Sequence, residues 1–387
     1  MSGRRALIAV LCAVGAQGAS PARAQSQGEG YYFYLGNYPD DRNTGFHEDV
    51  QGVAHDADHW FITQTATLWK IPVSRNLNSV SGSDPGVLRR TLSNYPALAA
   101  YNHFGDLDHY VFRGTGYLLV PIENTNGGAS PGVAIFRGGD LAYLGHATFP
   151  GQASSPWCCV DPFGQVYSSA GQPTSIRRYS LDWDNFADSG GVSLLFLDAL
   201  PIFREDGGVL QLRHMQGGEF SPGGALLYLV SGYFEDTDKN AEGIHVFDVA
   251  TWRRIQHSTN GHGHFNYEFH PGGLSDQEPE GLTIWDLDDG RAPGISGQLH
   301  VFLLENDDFS ADQVFFKHYT STIYVDRAYA GPEKGSRAQP FNTVAEAYNF
   351  AWNGAQISIK GGLYLESLTL SKRIVVRAHD GAAVIGD

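Results

Sequence analysis

Charge is scarce in this chain, and basic charge scarcest. Charged residues fill 18% of 387 positions, with 26 Lys and Arg against 42 Asp and Glu, a net charge of −16. Affinity for nucleic-acid phosphates rests on Lys and Arg, so no nucleic-acid partner is expected. The same sign opposes anionic lipid and otherwise serves solubility. Long apolar runs are missing too. The longest uncharged apolar stretch, residues 6–16, is too short to span a bilayer, so no membrane insertion is expected. No Gly-x-Ser-x-Gly, His-Glu-x-x-His, P-loop or Ser-x-Asp-x-Gly-x-Thr-Trp box is present, and the chemistries those motifs carry lose their usual signature. Cysteine is limited to Cys12, Cys158 and Cys159.

What is present begins with a leader. Arg4 and Arg5 precede the apolar run, and Ala22-Arg23-Ala24 offers an Ala-x-Ala cleavage pattern. Residues 1–24 therefore read as a signal peptide, and the mature chain is expected to be secreted or periplasmic. Without them 23 basic residues face 42 acidic ones, a balance of −19. Cys158 and Cys159 are then the remaining pair. In an oxidising compartment they are expected to form a vicinal disulfide. The bridge would be strained, because adjacent Cα atoms lie only about 3.8 Å apart.

Glycine (47 residues) and aromatics (12%) are abundant, as suits many short strands joined by tight turns. One phrase recurs. Gln216-Gly217-Gly218-Glu219-Phe220, the turn Ser221-Pro222-Gly223-Gly224 and the apolar Ala225–Leu229 form its fullest copy. Weaker copies begin at Gln51-Gly52, Phe104-Gly105-Asp106, Cys159-Val160-Asp161 and Glu280-Gly281. The spacing is that of a radial repeat. Four strands per unit are expected, at 50–55, 59–64, 67–73 and 86–92 in the first. The second has 109–112, 117–122, 132–137 and 141–147. Outer strands fall at 175–180 and 192–197 in the third unit, at 243–249 and 253–257 in the fourth, and at 313–319 in the fifth. No helix separates the units. The fold class is thus all-β, a β-propeller over residues 25–320 with five or six four-stranded blades. The sixth would form if strand 31–35 closed a blade with sequence near the propeller's end. A β-sandwich is the competing all-β reading.

Val160–Tyr167 and Phe220–Tyr228 resemble blade openings of NHL-type and lactonase-like propellers. Glu280-Gly281-Leu282 is similar to the Glu-Gly that opens a blade in the lactonase-like group, and the resemblance implies that Glu280 is a calcium ligand in a central funnel. Beyond residue 320 the style changes. Thr343-Val344-Ala345-Glu346 reads as a capping box that starts a helix running to about Trp352. Short strands are expected at 355–359, 368–370 and 374–376. With Tyr324-Val325-Asp326 and Gln339-Pro340-Phe341-Asn342-Thr343-Val344, residues 321–387 resemble the cap and first rungs of a pectate-lyase-type right-handed parallel β-helix. They read as a small C-terminal β-helix-like module, without the rungs that would carry lyase chemistry.

Fifteen His are many for so few other cations. His47, His103 and His214 precede the repeated glycines, while Gln51, Asp106, Gln216 and Glu280 flank them. In a propeller the inner strands line the axis, so these positions converge. His47, His103, His214 and Glu280 are the candidate ligands of a divalent metal (Ca, Zn or Mn), or proton carriers, with His103, His214 and Glu280 catalytic. Hydrogen-bonded rim residues are the bland alternative. Trp157, Cys158 and Cys159, with Gln51 and Gln216, are the candidate substrate contacts. The Asp-x-Asp-His runs at 56–59 and 106–109 read as solvated turns at the opposite face. Asp236–Asn240 starts like a calcium loop but has Ala241 and Phe247 where Gly and Glu are needed. Gly261–His264 reads as a loop with a flexible His pair.

The chain is expected to act on or bind an extracellular saccharide or other small polar ligand, as a metal- or His-dependent hydrolase or lyase. The alternative is a lectin-like or surface-interaction module without catalysis. A lactonase- or quinone-type enzyme is a third reading.

Overall fold

The computed structural model describes residues 8–10, 32–40, 42–233, 241–258, 265–267, 277–305, 311–352 and 355–386. The protein is all-β, a five-bladed propeller followed by a smaller sheet, and its described residues include two short helices. Strands β1 (Ile8–Val10) and β2 (Phe33–Asn37) precede the first blade. That blade is β3 (Val50–His55), β4 (His59–Gln64), β5 (Thr67–Pro72) and β6 (Leu88–Thr91). The second has a split inner edge, β7 (His103–Phe104) and β8 (Asp108–Phe112), both paired to β9 (Thr115–Glu123), then β10 (Gly132–Arg137) and β11 (Ala142–Thr148). The third is β12 (Cys158–Val160), β13 (Gln165–Ser168), β14 (Ser175–Leu181) and β15 (Leu194–Pro201), with α1 (Trp183–Ser189) between its last two strands. The fourth is β16 (Met215–Phe220), β17 (Leu226–Ser231), β18 (Gly243–Asp248) and β19 (Arg253–Ser258).

The fifth blade holds β20 (Gln277–Ile284), β21 (Leu299–Glu305) and β22 (Gln313–Thr320), and its outer strand is β2. The early strand thus completes the fifth blade, and the described residues form no sixth blade. Phe33 pairs with Thr320 and Asn37 with Lys317, so β2 closes the ring against β22. Buried clusters between successive sheets make the core, because each sheet is apolar on both faces.

Beyond the ring, β23 (Thr322–Val325), α2 (Val344–Phe350), β24 (Gln356–Tyr364) and β25 (Val375–Ile385) follow. β23, β24 and β25 pair in parallel, Thr322 opposite Gln356 and Gln356 opposite Val375. Thr343 caps α2 as expected, its Oγ1 accepting from Glu346 N, but the Glu346 carboxylate takes the Thr343 hydroxyl and not its backbone N–H, so half of the capping box forms. No strand forms at 368–370. β1 pairs antiparallel with the end of β25, Ile8 opposite Ile385. Val344, Ala347 and Tyr348 share a core with Ile357, Ile359 and Phe33 of β2, so the second unit packs on the ring-closing strand.

Candidate functional site at the propeller axis

The inner strands stand side by side around the axis, β3 beside β8 and β20, and β12 beside β8 and β16. Each recurring glycine sits where they meet. A Cβ on Gly281 would lie 2.5 Å from the Gly52 Cα and against the Asp106 carboxylate, and one on Gly52 would lie 2.5 Å from the Asp106 Cα. Only hydrogen fits there, which is why the phrase repeats. Into this gap projects Asp106, wholly buried. Its Oδ1 accepts from Val53 N (3.0 Å) in the first blade and its Oδ2 from Gly218 N (3.1 Å) in the fourth, and Leu282 N of the fifth also donates to it. Its own N–H donates to the Pro156 carbonyl (2.8 Å), and its carbonyl accepts from Cys158 N (3.1 Å), both in the segment that opens the third blade. One aspartate in the second blade therefore touches all the others. Burial raises its carboxyl well above the ordinary carboxylate range.

The axis is thereby filled at its middle and divided into two ends. At the far end Asp108 Oδ2 accepts from Val160 N (2.7 Å), Glu219 accepts from Ile284 N (3.1 Å), and His55 Nε2 meets the Ile284 carbonyl (3.0 Å). These are stitches between neighbouring inner strands. Burial pushes Asp108 up to about 7, and burial with the Asp108 charge raises Glu219. The 106–109 run is thus buried inner-strand structure and not a solvated turn.

The near end, where the inner strands begin, collects most of the candidates. Gln51, Gln216 and Glu280 occupy matching β-bulges, since the strand register shifts at Val50/Gly52, Met215/Gly217 and Pro279/Leu282. A bulge re-aims a side chain, here on three blades at one level. Gln51 and Gln216 are half-buried, and Gln216 Nε2 donates to Glu278 (3.1 Å). Glu280 is 1% exposed, and its Oε1 has no hydrogen-bond partner among the described residues. Burial, then the charges of Glu278, Asp106 and Asp49, raise its carboxyl well above the ordinary range, which favours its protonated form. His103 Nδ1 lies 3.6 Å from Glu123 Oε1, and His47 Nε2 lies 3.4 Å from Glu48 Oε1. Burial lowers both imidazoles. Asp49 lies within electrostatic reach of both Glu280 and His103, and Asp312, which acts on His47, accepts from Asp49 N (2.7 Å).

No family model and no curated protein matches this chain. Solved structures do resemble it. Virginiamycin B lyase of Staphylococcus aureus aligns at 11% identity and a TM-score of 0.34 over 73% of this chain and 87% of that one. A putative gluconolactonase aligns at 12% and 0.35 over 67% and 70%. The GH43_1 enzyme of Xanthomonas citri, solved with xylose, aligns at 12% and 0.40 over 70% and 87%.

The structure thus brings His47, His103, Glu280, Gln51 and Gln216 to one mouth and leaves His214 out. His214 is exposed on the loop before β16, at φ +47°, and stacks on Tyr233 at 5.7 Å. No group of three or more His, Cys, Asp or Glu among the described residues is placed to hold a metal ion, so the set of His47, His103, His214 and Glu280 does not converge as ligands. The substrate floor is corrected as well. Trp157, Cys158 and Cys159 are all 0% exposed. The Trp157 ring lies against Gly218, where a Cβ would come within 2.6 Å of it, and its Nε1 donates to Ser169 Oγ. Both cysteines are free. Successive side chains on a strand point to opposite faces. Cys158 accordingly joins the core between blades two and three, and Cys159 the core between three and four. The runs 236–240 and 261–264 lie outside the described residues.

The sequence reading gave Asp49, Glu278 and Glu219 no role, placed Asp108 in a solvated turn, and named Asp106 only as a flank and as part of that turn. The available signal was position: Asp106 and Glu280 stand beside a glycine that must be bare.

Proposed function

We propose that the near mouth of the axis binds a saccharide and that Glu280 is its proton donor. The carrying observation is the buried Glu280 Oε1, left without a hydrogen-bond partner among the described residues in a setting that favours the protonated carboxyl. An unpaired polar atom at such depth is costly unless something meets it. A neutral carboxyl can protonate the oxygen that leaves when a glycosidic bond breaks, and a second carboxylate then activates water or attacks the sugar. Asp49, exposed and in electrostatic contact with Glu280, fits that second role. Gln51, Gln216 and Glu278 offer donors and acceptors for sugar hydroxyls. The reading uses no calcium, zinc or manganese, since no three His, Cys, Asp or Glu among the described residues are placed to hold an ion. The leader-like residues 1–24 support export to where such substrates occur.

The test is Glu280→Gln assayed on a panel of oligosaccharides and lactones, with binding measured in parallel. Turnover should fall by about 10²–10⁴-fold while binding persists. Undiminished turnover would sink the assignment. Binding by the native protein with no product would favour the lectin-like reading, which the half-buried Gln51 and Gln216 also support. The C-terminal sheet we read as the first coils of a parallel β-helix, on the strength of its two parallel pairings.

A further inference from the structure

Two blades carry a histidine pair across adjacent strands, and the two pairs differ in their count of protons. In the fourth blade His245 faces His257, the rings stacked at 4.5 Å. There His245 Nδ1 accepts from Arg254 Nη1 (3.0 Å), and its Nε2–H meets Ser231 Oγ (3.0 Å), whose own hydrogen goes to the Ala241 carbonyl (2.7 Å). A neutral imidazole satisfies both contacts.

In the fifth blade His300 faces His318 with rings at 69°. The two Nδ1 atoms are 2.8 Å apart. His300 Nε2 lies 2.8 Å from the Trp285 carbonyl and His318 Nε2 2.9 Å from the Tyr38 carbonyl. Carbonyls only accept, so both Nε2 atoms must carry hydrogen. Two neutral rings have no hydrogen left, and their Nδ1 lone pairs would face each other at bonding distance. Two charged rings would set N–H against N–H. A single added proton makes all three contacts at once.

We propose that His300 and His318 share one proton and act as a latch on the ring-closing segment, made in the singly protonated state and weakened when the proton is lost or a second is gained. Tyr38 directly follows β2, so one of the three contacts bears on the closing strand itself. The pair is 0% and 3% exposed. From β3 His55 acts on His300, and Arg291 lies over the Trp285 ring at 5.0 Å. The Trp60 ring of β4 and the Phe316 ring of β22 complete the walls. Among the described residues no carboxylate figures in the charges acting on either ring. His300 lies in the field of His318 and of His55, and burial of both rings disfavours a second proton.

The experiment uses the full chain labelled with ¹⁵N. Side-chain nitrogen spectra are followed from about pH 4 to pH 8, the span over which His titrates. Both Nε2 signals should stay protonated throughout, with the two Nδ1 signals moving together as one proton enters the pair. Amide protection of residues 33–37, corrected for intrinsic exchange, should pass through a maximum in that range. In His318→Gln, whose amide can still donate to Tyr38, the maximum should vanish while protection of β4 and β9 is retained. Two other results would each overturn the latch. One is a ring that keeps Nδ1–H with a bare Nε2 at every pH. The other is a protection profile the same in both proteins.

Discussion

Asp108 shows how one buried carboxylate sets a pH response. Its carboxyl is raised from 3.8 to about 7 in the fold. A raised folded-state value means that the folded protein binds the proton more tightly than the unfolded chain. The contribution is complete below about pH 4 and is lost as pH rises through about 7. A buried imidazole acts oppositely. Burial lowers His109 to about 4, so the stability its neutral form contributes is lost as pH falls from the ordinary 6.5 towards 4. The native profile mixes both, and a variant separates them. Asp108→Asn should remove the carboxylate part, so that the native protein gains on the variant by about 3 kcal/mol between pH 7 and pH 4. Urea unfolding at the two pH values measures this. A difference independent of pH would mean that Asp108 is ionised throughout.

At the scale of the strand, the bare glycines make the test. Gly281→Ala drives a methyl against the backbone of another blade, which cannot move without opening the ring. A loss of about 3 kcal/mol is expected, at the upper end for overpacking. Gly139→Ala meets nothing within 4 Å and should stay within about 0.5 kcal/mol. Denaturant midpoints with unchanged slope would verify both. Most of this level was legible in the sequence. Strands 50–55, 59–64 and 132–137 fall where short apolar runs between turn residues place them. The helix Trp183–Ser189 was missed, although Asp182 as its cap and Gly190 at φ +75° were both in view. Seven residues are too few for a periodic pattern to show. The site was legible only in part. A bulge turns Glu280 inward, and the sequence shows the Gly but not the register shift that goes with it. The vicinal bridge failed for a simpler reason: on a strand, adjacent cysteines look away from each other.

For the whole molecule, Phe33 joins what the chain order separates. It is 2% exposed on β2, with the rings of Phe350 and Trp352 at 5.2 and 5.9 Å. Tyr324 of the second unit also donates to Asp288 in the fifth blade's loop (2.7 Å). Phe33→Ala should therefore lower stability by about 3 kcal/mol, and amides of β24 should lose protection together with those of β22. Loss confined to β22 would mean that the two units unfold independently.

The closure at β2 carries a consequence for biosynthesis. His318 and Tyr38 meet across 280 residues of chain. A ribosome feeding this protein out from its N-terminus releases the closing strand first and its partner last. Until translation passes Thr320 the ring has an open seam, two unsatisfied β edges exposed to other nascent chains. Any partner that shelters growing polypeptides would matter most during that interval.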